Sequence, residues 1–151
     1  MHKITETKIM PFTANQIYDL VVDIENYPNF LPWCKNAKII KEISKNNIHA
    51  ELLINFKNIY EKYTSDVYFN KINENQYNIE AIAIKGPFKR LVNKWQIVLI
   101  DQKKSKVDFY LEFEFNSIIL TKMLGTIFSS ATHKMINAFE NRANELYNPK
   151  S

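Results

Sequence analysis

From residue 118 to 147 the chain contains no proline, and its apolar side chains recur at helical spacing. Leu120, Leu124, Ile127, Phe128, Ala131, Met135, Ala138, Phe139, Ala143 and Leu146 fall on one stripe. A helix of roughly 30 residues rising 1.5 Å per residue spans about 45 Å. A one-sided rod of that length needs a broad apolar surface to lie on, and the preceding segments supply one.

From about residue 37 to 115 the period is two. "AKIIKEIS" reads as a strand, and "IHAELLINF" sets Ala50, Leu52, Ile54 and Phe56 on one face. "YEKYTSDVYFN" continues, "YNIEAIAI" aligns Tyr77, Ile79, Ala81 and Ala83, and "KGPFK" turns sharply at its Gly-Pro pair. "RLVNKWQIVLI" and "KVDFYLEFEF" complete the run. In the last, Val107, Phe109, Leu111, Phe113 and Phe115 face one way, and Asp108, Tyr110, Glu112 and Glu114 the other. That is an antiparallel strand with one wet face. Upstream, "KITETKIM" forms a first strand that stops at Pro11. "TANQIYDLVVDI" opens a helix with Thr13 and Gln16 at capping-box spacing. One strand, a helix, six strands and a long helix predict an α+β fold, with a curved antiparallel sheet around the C-terminal helix. Ala50, Ala81 and Ala83 sit where branched side chains usually close the sheet–helix interface. They leave either a cavity or a close helix-to-sheet approach.

The segment "NYPNFLPWCKN", residues 26–36, is the exception to both periods. Pro28 and Pro32 oppose a long helix or a central strand, yet the segment carries core-type side chains. A short helix begun by Asn26, with Pro28 in its first turn, fits the opening part.

Composition narrows the chemistry. The 151 residues suit one domain, 1–151, with a single core. No apolar run is long enough to span a membrane, and the N-terminus shows neither an apolar run nor a small-residue cleavage site. One cysteine fits a reducing compartment, so we expect a cytoplasmic protein, possible contacts with the membrane's inner face being peripheral. Two glycines, Gly86 and Gly125, cannot build a glycine-rich phosphate loop. His2, His49 and His133 are far apart in sequence and Cys34 has no partner cysteine, so no metal-ligand spacing is present. No base is placed to activate Cys34, which reads as packing, and no paired acid and base can be named. The net charge of +4 is carried by lysine, with Arg90 and Arg142 the only arginines. It reads as a solvated surface or as weak attraction to RNA or anionic membrane, and gives no reason to expect DNA. The sequence does not look like that of an enzyme.

Four stretches in register, "YDLVVDIENYPNFLPWC" (18–34), "GPFKRLVNKW" (86–95), "VDFYLEFEFNSIILTKMLG" (107–125) and "AFENRANELY" (138–147), resemble one family. It is the coenzyme Q-binding / ribosome association toxin RatA family of START-like, polyketide cyclase/dehydrase-type proteins. The resemblance implies a helix-grip fold: a seven-stranded antiparallel sheet, two short helices after the first strand, and a long C-terminal helix. It implies a hydrophobic cavity for a lipid such as ubiquinone, in support of respiratory electron transport, with no cofactor for catalysis. It also implies two alternatives, a toxin that binds the large ribosomal subunit and blocks subunit association, and a cyclase or dehydrase. Mapped onto this chain, the expected gate is Tyr27, Phe30, Leu31 and Trp33. The expected walls are Leu52, Ile54, Ala81, Ala83, Phe88, Trp95, Phe109, Leu124, Phe128 and Met135.

Overall fold

In the computed structural model, which describes residues 1–148, seven strands form one antiparallel sheet. The strands are β1 (His2–Met10), β2 (Cys34–Ser44), β3 (Asn47–Phe56), β4 (Ile59–Asn73), β5 (Gln76–Lys85), β6 (Phe88–Asp101) and β7 (Lys104–Phe115). The order across the sheet is β1-β7-β6-β5-β4-β3-β2, so β2 to β7 form a meander and β1 returns to its far edge. The helices are α1 (Ala14–Val22), α2 (Ile118–His133) and α3 (Met135–Tyr147), with a 3-10 turn over Ile24–Asn29.

The capping box read from sequence forms. The Gln16 amide donates to the Thr13 hydroxyl at 3.2 Å, and the Gln16 side chain accepts from the Thr13 amide at 3.0 Å. Ser117 caps α2 by accepting from the Leu120 amide at 3.3 Å. β3 buries Ile48, Ala50, Leu52, Ile54 and Phe56 in strict alternation, and β7 buries all five of its expected apolar positions. The β3–β4 turn holds Lys57 at φ 51° and Asn58 at φ 65°, which gives a two-residue hairpin the twist of its strands.

Two expectations need correction. The C-terminal helix is not one rod: it breaks at Lys134. The Thr132 hydroxyl donates back to the Ser129 carbonyl at 2.9 Å, and the Lys134 amide bonds the Ala131 carbonyl at 3.1 Å. Such back-bonding inside a ladder bends a helix. Thr132, one turn after Phe128, is in the core before the break, and the phase shift after it brings Ile136 there as well. Leu146 instead turns outward, and Tyr147 donates to the Gln16 carbonyl at 3.0 Å. The short helix begins at Ile24, two residues earlier than expected, and is 3-10. Its start is fixed by Asp23, whose carbonyl accepts from the Asn26 amide at 3.1 Å, so Pro28 is the fifth residue rather than part of a first turn. Residues 149–151 of the expected domain lie outside the described residues.

Glu112, expected on the wet face of β7, is only 9% exposed because Arg90 covers it with two hydrogen bonds at 3.0 and 3.1 Å. The Arg90 hydrogen bonds hold the Glu112 carboxyl below the usual carboxylate range. A depressed folded-state value stabilises the protein above the ordinary glutamate range, and that contribution is lost as pH falls through the lowered value. Urea midpoints measured from pH 6 down to pH 3 are expected to fall less steeply in Glu112→Gln than in the parent. Equal slopes would show that the pair contributes nothing to acid sensitivity.

Candidate functional site

The small side chains are aligned across the sheet. Ala50 on β3 pairs with Ser65 on β4, and Ser65 pairs with Ala83 on β5. Ala81 pairs with Asn93 on β6, which pairs with Leu111 on β7. With so little side-chain volume on the sheet, the helices above do not fill the interface. A cavity of about 70 Å³ remains between sheet and helices.

Its sheet side is formed by Ala50, Leu52, Tyr63, Ser65, Ala81, Asn93 and Trp95, among others. Its other side is formed by Val21, Ile24, Tyr27, Trp33, Phe128, Thr132, Met135 and Phe139. The polar groups are few and ordered. Asn93 donates to the Tyr110 carbonyl at 3.0 Å and accepts from the Trp95 indole at 3.1 Å. Tyr27 donates to the Val21 carbonyl, and its ring meets Phe139 edge-on at 5.3 Å. Burial raises the Tyr63 phenol above its ordinary range, with Cys34 adding to the rise. Among the described residues the lining has no carboxylate, imidazole, ammonium or guanidinium.

A second depression, an open groove of about 900 Å³, runs along α2 and α3. Phe30, Leu31, Pro32 and Trp33 form one bank, and Ile127, Ala131, Met135 and Ala138 the other. Trp33 and Met135 face both groove and cavity. The 26–36 segment is therefore held against α3. Phe30 meets Phe139 edge-on at 5.0 Å, and the Arg142 guanidinium lies over the Phe30 ring at 5.6 Å.

Of the residues expected at the site, Tyr27, Trp33, Leu52, Ala81, Trp95, Phe128 and Met135 line the cavity, and Phe30 and Leu31 line the groove. Ile54, Ala83, Phe88, Phe109 and Leu124 line neither, for reasons of packing. Phe88 is drawn into an aromatic cluster with Tyr63, Phe113, Phe115 and Phe128, at centroid distances of 4.9 to 6.5 Å. Phe109 packs against Trp95 at 5.0 Å. Ile54 and Leu124 are 1% exposed, enclosed in the core. Ala83 is displaced by its neighbour: Ser65, its pairing partner, takes the place on the cavity wall. Sequence reasoning missed Tyr63, Ser65, Asn93, Thr132 and Phe139. The signal for Ser65 was present: a two-residue turn at Lys57-Asn58 fixes Ala50 opposite Ser65.

Cys34 is 2% exposed, and burial pushes its thiol up to about 11. The thiolate is the reactive form, so at pH 7.5 alkylation is expected to run on the order of 10²-fold slower than for a free thiol. Iodoacetamide labelling followed by intact mass checks this. Rapid modification of the folded protein would contradict it.

The histidines are dispersed. His49 lies 3.4 Å from Asp66, His133 lies 3.4 Å from Glu6, and His2 stacks on Phe113 at 4.8 Å. Among the described residues no helix is long and apolar enough to cross a membrane.

Comparison with known proteins gives a consistent picture. The chain is 43% identical over 141 residues to the ribosome association toxin RatA of Rickettsia prowazekii, covering 93% of this chain and 94% of that one. It is 33% identical over 144 residues to the mitochondrial coenzyme Q-binding protein COQ10 of Dictyostelium discoideum, covering 93% of this chain and 68% of that one. Among solved structures, an aromatase/cyclase from Streptomyces sp. R1128 superposes with a TM-score of 0.80 at 13% identity. It covers 95% of this chain and 93% of its own, and at that identity it speaks to the fold alone. The family described as polyketide cyclase/dehydrase and lipid transport matches residues 10–140, and the chain belongs to that family.

Proposed function

We propose that this chain is a non-catalytic, cytoplasmic binding protein for a hydrophobic ligand, a polyprenyl quinone such as ubiquinone, and that it supports respiratory electron transport. The observation that carries the reading is the paired cavity and groove, separated by Trp33 and Met135. The name of the coenzyme Q-binding relative supports the ligand class.

Fit is a matter of chemistry and of volume. The lining offers apolar surface with hydroxyls and one amide, which suits quinone oxygens on a carbon ring. The volume is smaller than a ring requires: about 70 Å³, where an apolar cavity of about 150 Å³ takes benzene. Ligand entry therefore requires a wall to move. Met135 is the side chain suited to it, being unbranched, flexible and already half in the groove. Burial of isoprenoid surface supplies the affinity, at about 25 cal/mol per Å² before association costs. The absence of any titratable acid–base pair in the described lining supports binding without catalysis over a cyclase or dehydrase activity.

Organic extraction of the purified protein followed by mass spectrometry tests this. A co-purifying quinone, or saturable uptake of added ubiquinone, is the expected result. Neither a lipid in the extract nor uptake would refute it.

A second reading is favoured by the 43% identity to a ribosome association toxin along nearly the whole chain. On that reading the lysine-bearing surface meets the large ribosomal subunit. Sedimentation through a sucrose gradient with large subunits at low salt, where electrostatic attraction is strongest, decides it. Protein left at the top of the gradient would end that reading.

A further inference from the structure

Building on the lipid-binding reading, we propose that the cavity is a subsite for an uncharged, oxygen-bearing head group. The head lies on the sheet against the Tyr63 and Ser65 hydroxyls, and the apolar tail leaves between Trp33 and Met135 into the groove.

The hydroxyls differ between the two sides. Tyr27 and Thr132, on the helix side, spend theirs on the Val21 and Ser129 carbonyls, whereas Tyr63 and Ser65 rise from the sheet beside Asn93. The exit to the groove lies on the helix side at Met135 and on the loop at Trp33. A ligand that is apolar throughout would cover the two hydroxyls without replacing their hydrogen bonds to water, which carries a penalty. A ligand with a carbonyl or hydroxyl at one end satisfies them. Asn93 is preset for the same task. One of its two N–H groups and one acceptor position are used by Tyr110 and Trp95, and an amide retains one more of each.

Charge excludes other lipids. A carboxylate or phosphate head in this cavity would meet no cation among the described lining residues, and an unpaired buried charge is strongly disfavoured. The raised Tyr63 phenol remains protonated at neutral pH, so it donates to a neutral acceptor and adds no charge of its own. The subsite selects quinones, quinols or long-chain alcohols over fatty acids and phospholipids. The groove receives the remainder: its walls run from Thr126 to Asn141, about 20 Å of helix, which suits an extended chain rather than a compact ring.

The test is calorimetric titration of the whole chain with three probes: decylubiquinone, 1-phenyldecane and palmitate. The parent is expected to bind decylubiquinone at least about tenfold more tightly than either other probe. Tyr63→Phe and Ser65→Ala, each removing one hydroxyl, are expected to weaken decylubiquinone about 3- to 10-fold while leaving 1-phenyldecane unchanged. Should Tyr63→Phe fold poorly, Ser65→Ala, the smaller change, carries the same comparison. Palmitate binding as tight as quinone, or unchanged quinone affinity in both variants, overturns the head-group assignment while leaving lipid binding intact. Failure of the parent to bind any of the three overturns the lipid-binding reading itself.

Discussion

Phe128→Ala is expected to destabilise the protein by about 3–5 kcal/mol, the range for deleting a fully buried aromatic ring. Phe128 is 2% exposed, and its ring meets Phe113 at 4.6 Å, Phe88 at 5.4 Å, Phe56 at 5.6 Å and Phe115 at 5.9 Å. Four rings from β3, β6 and β7 converge on one helical side chain, so no neighbour can collapse into the gap without abandoning another contact. For a chain of this size the loss corresponds to a fall in Tm of roughly 10 °C. The same ring lines the cavity between sheet and helices, so the variant should also enlarge it. A thermal melt that moves by less than about 3 °C would show that the cluster relaxes to fill the space.

Gly86→Ala is expected to be comparably damaging for a different reason. Gly86 has φ +127°, where a side chain is strained, and an added Cβ would lie 2.6 Å from the Tyr63 Cβ and 2.8 Å from the Lys62 carbonyl. Both neighbours belong to the backbone or its first side-chain atom, so β4 itself has to shift. Strain and overpacking together predict about 2–5 kcal/mol. The shift falls on Tyr63, so on the lipid-binding reading the variant should lose affinity for a quinone beyond what lost folded protein explains. Chemical denaturation together with titration at a temperature where the variant is folded separates the effects. Parent-like stability would mean that the turn can flip to a conformation that accepts alanine.

Much of this fold is legible in the sequence because its strands alternate cleanly and its caps are chemically explicit. Thr13 with Gln16 marks a helix start, and Val107 to Phe115 marks a buried face, without reference to anything distant. The break at Lys134 is not legible, since neither proline nor glycine announces it. It arises from Thr132 turning its hydroxyl back on the Ser129 carbonyl, and Thr132 looks in sequence like any polar helical residue. The alanines at 50 and 81 leave a cavity and a close helix-to-sheet approach equally open, and the polar side of the cavity is hidden. Ser65 and Asn93 occupy inward positions of their strands, where pattern reading assigns a polar residue to solvent. Phe88 fails as a cavity wall because its neighbours are fixed by register across several strands and by helix placement.

The strand order has a consequence for how the molecule comes into being. β2 to β7 pair with sequence neighbours, whereas His2 of β1 must find Phe113 of β7 across nearly the whole chain. Closing so long a loop is slow compared with zipping adjacent hairpins. We predict from this that the meander gains protection first, and that β1 docks late, once β7 exists to receive it. Pulsed hydrogen exchange during refolding should find β3 to β6 amides protected before those of β1, and simultaneous protection would refute the order. If the order holds, α2 and α3, which follow the meander in the chain and bring Phe128, Thr132, Met135 and Phe139 to the cavity wall, close over an already formed sheet. Until then no enclosed compartment exists to load, so on the lipid-binding reading the ligand is taken up by the folded protein rather than during folding.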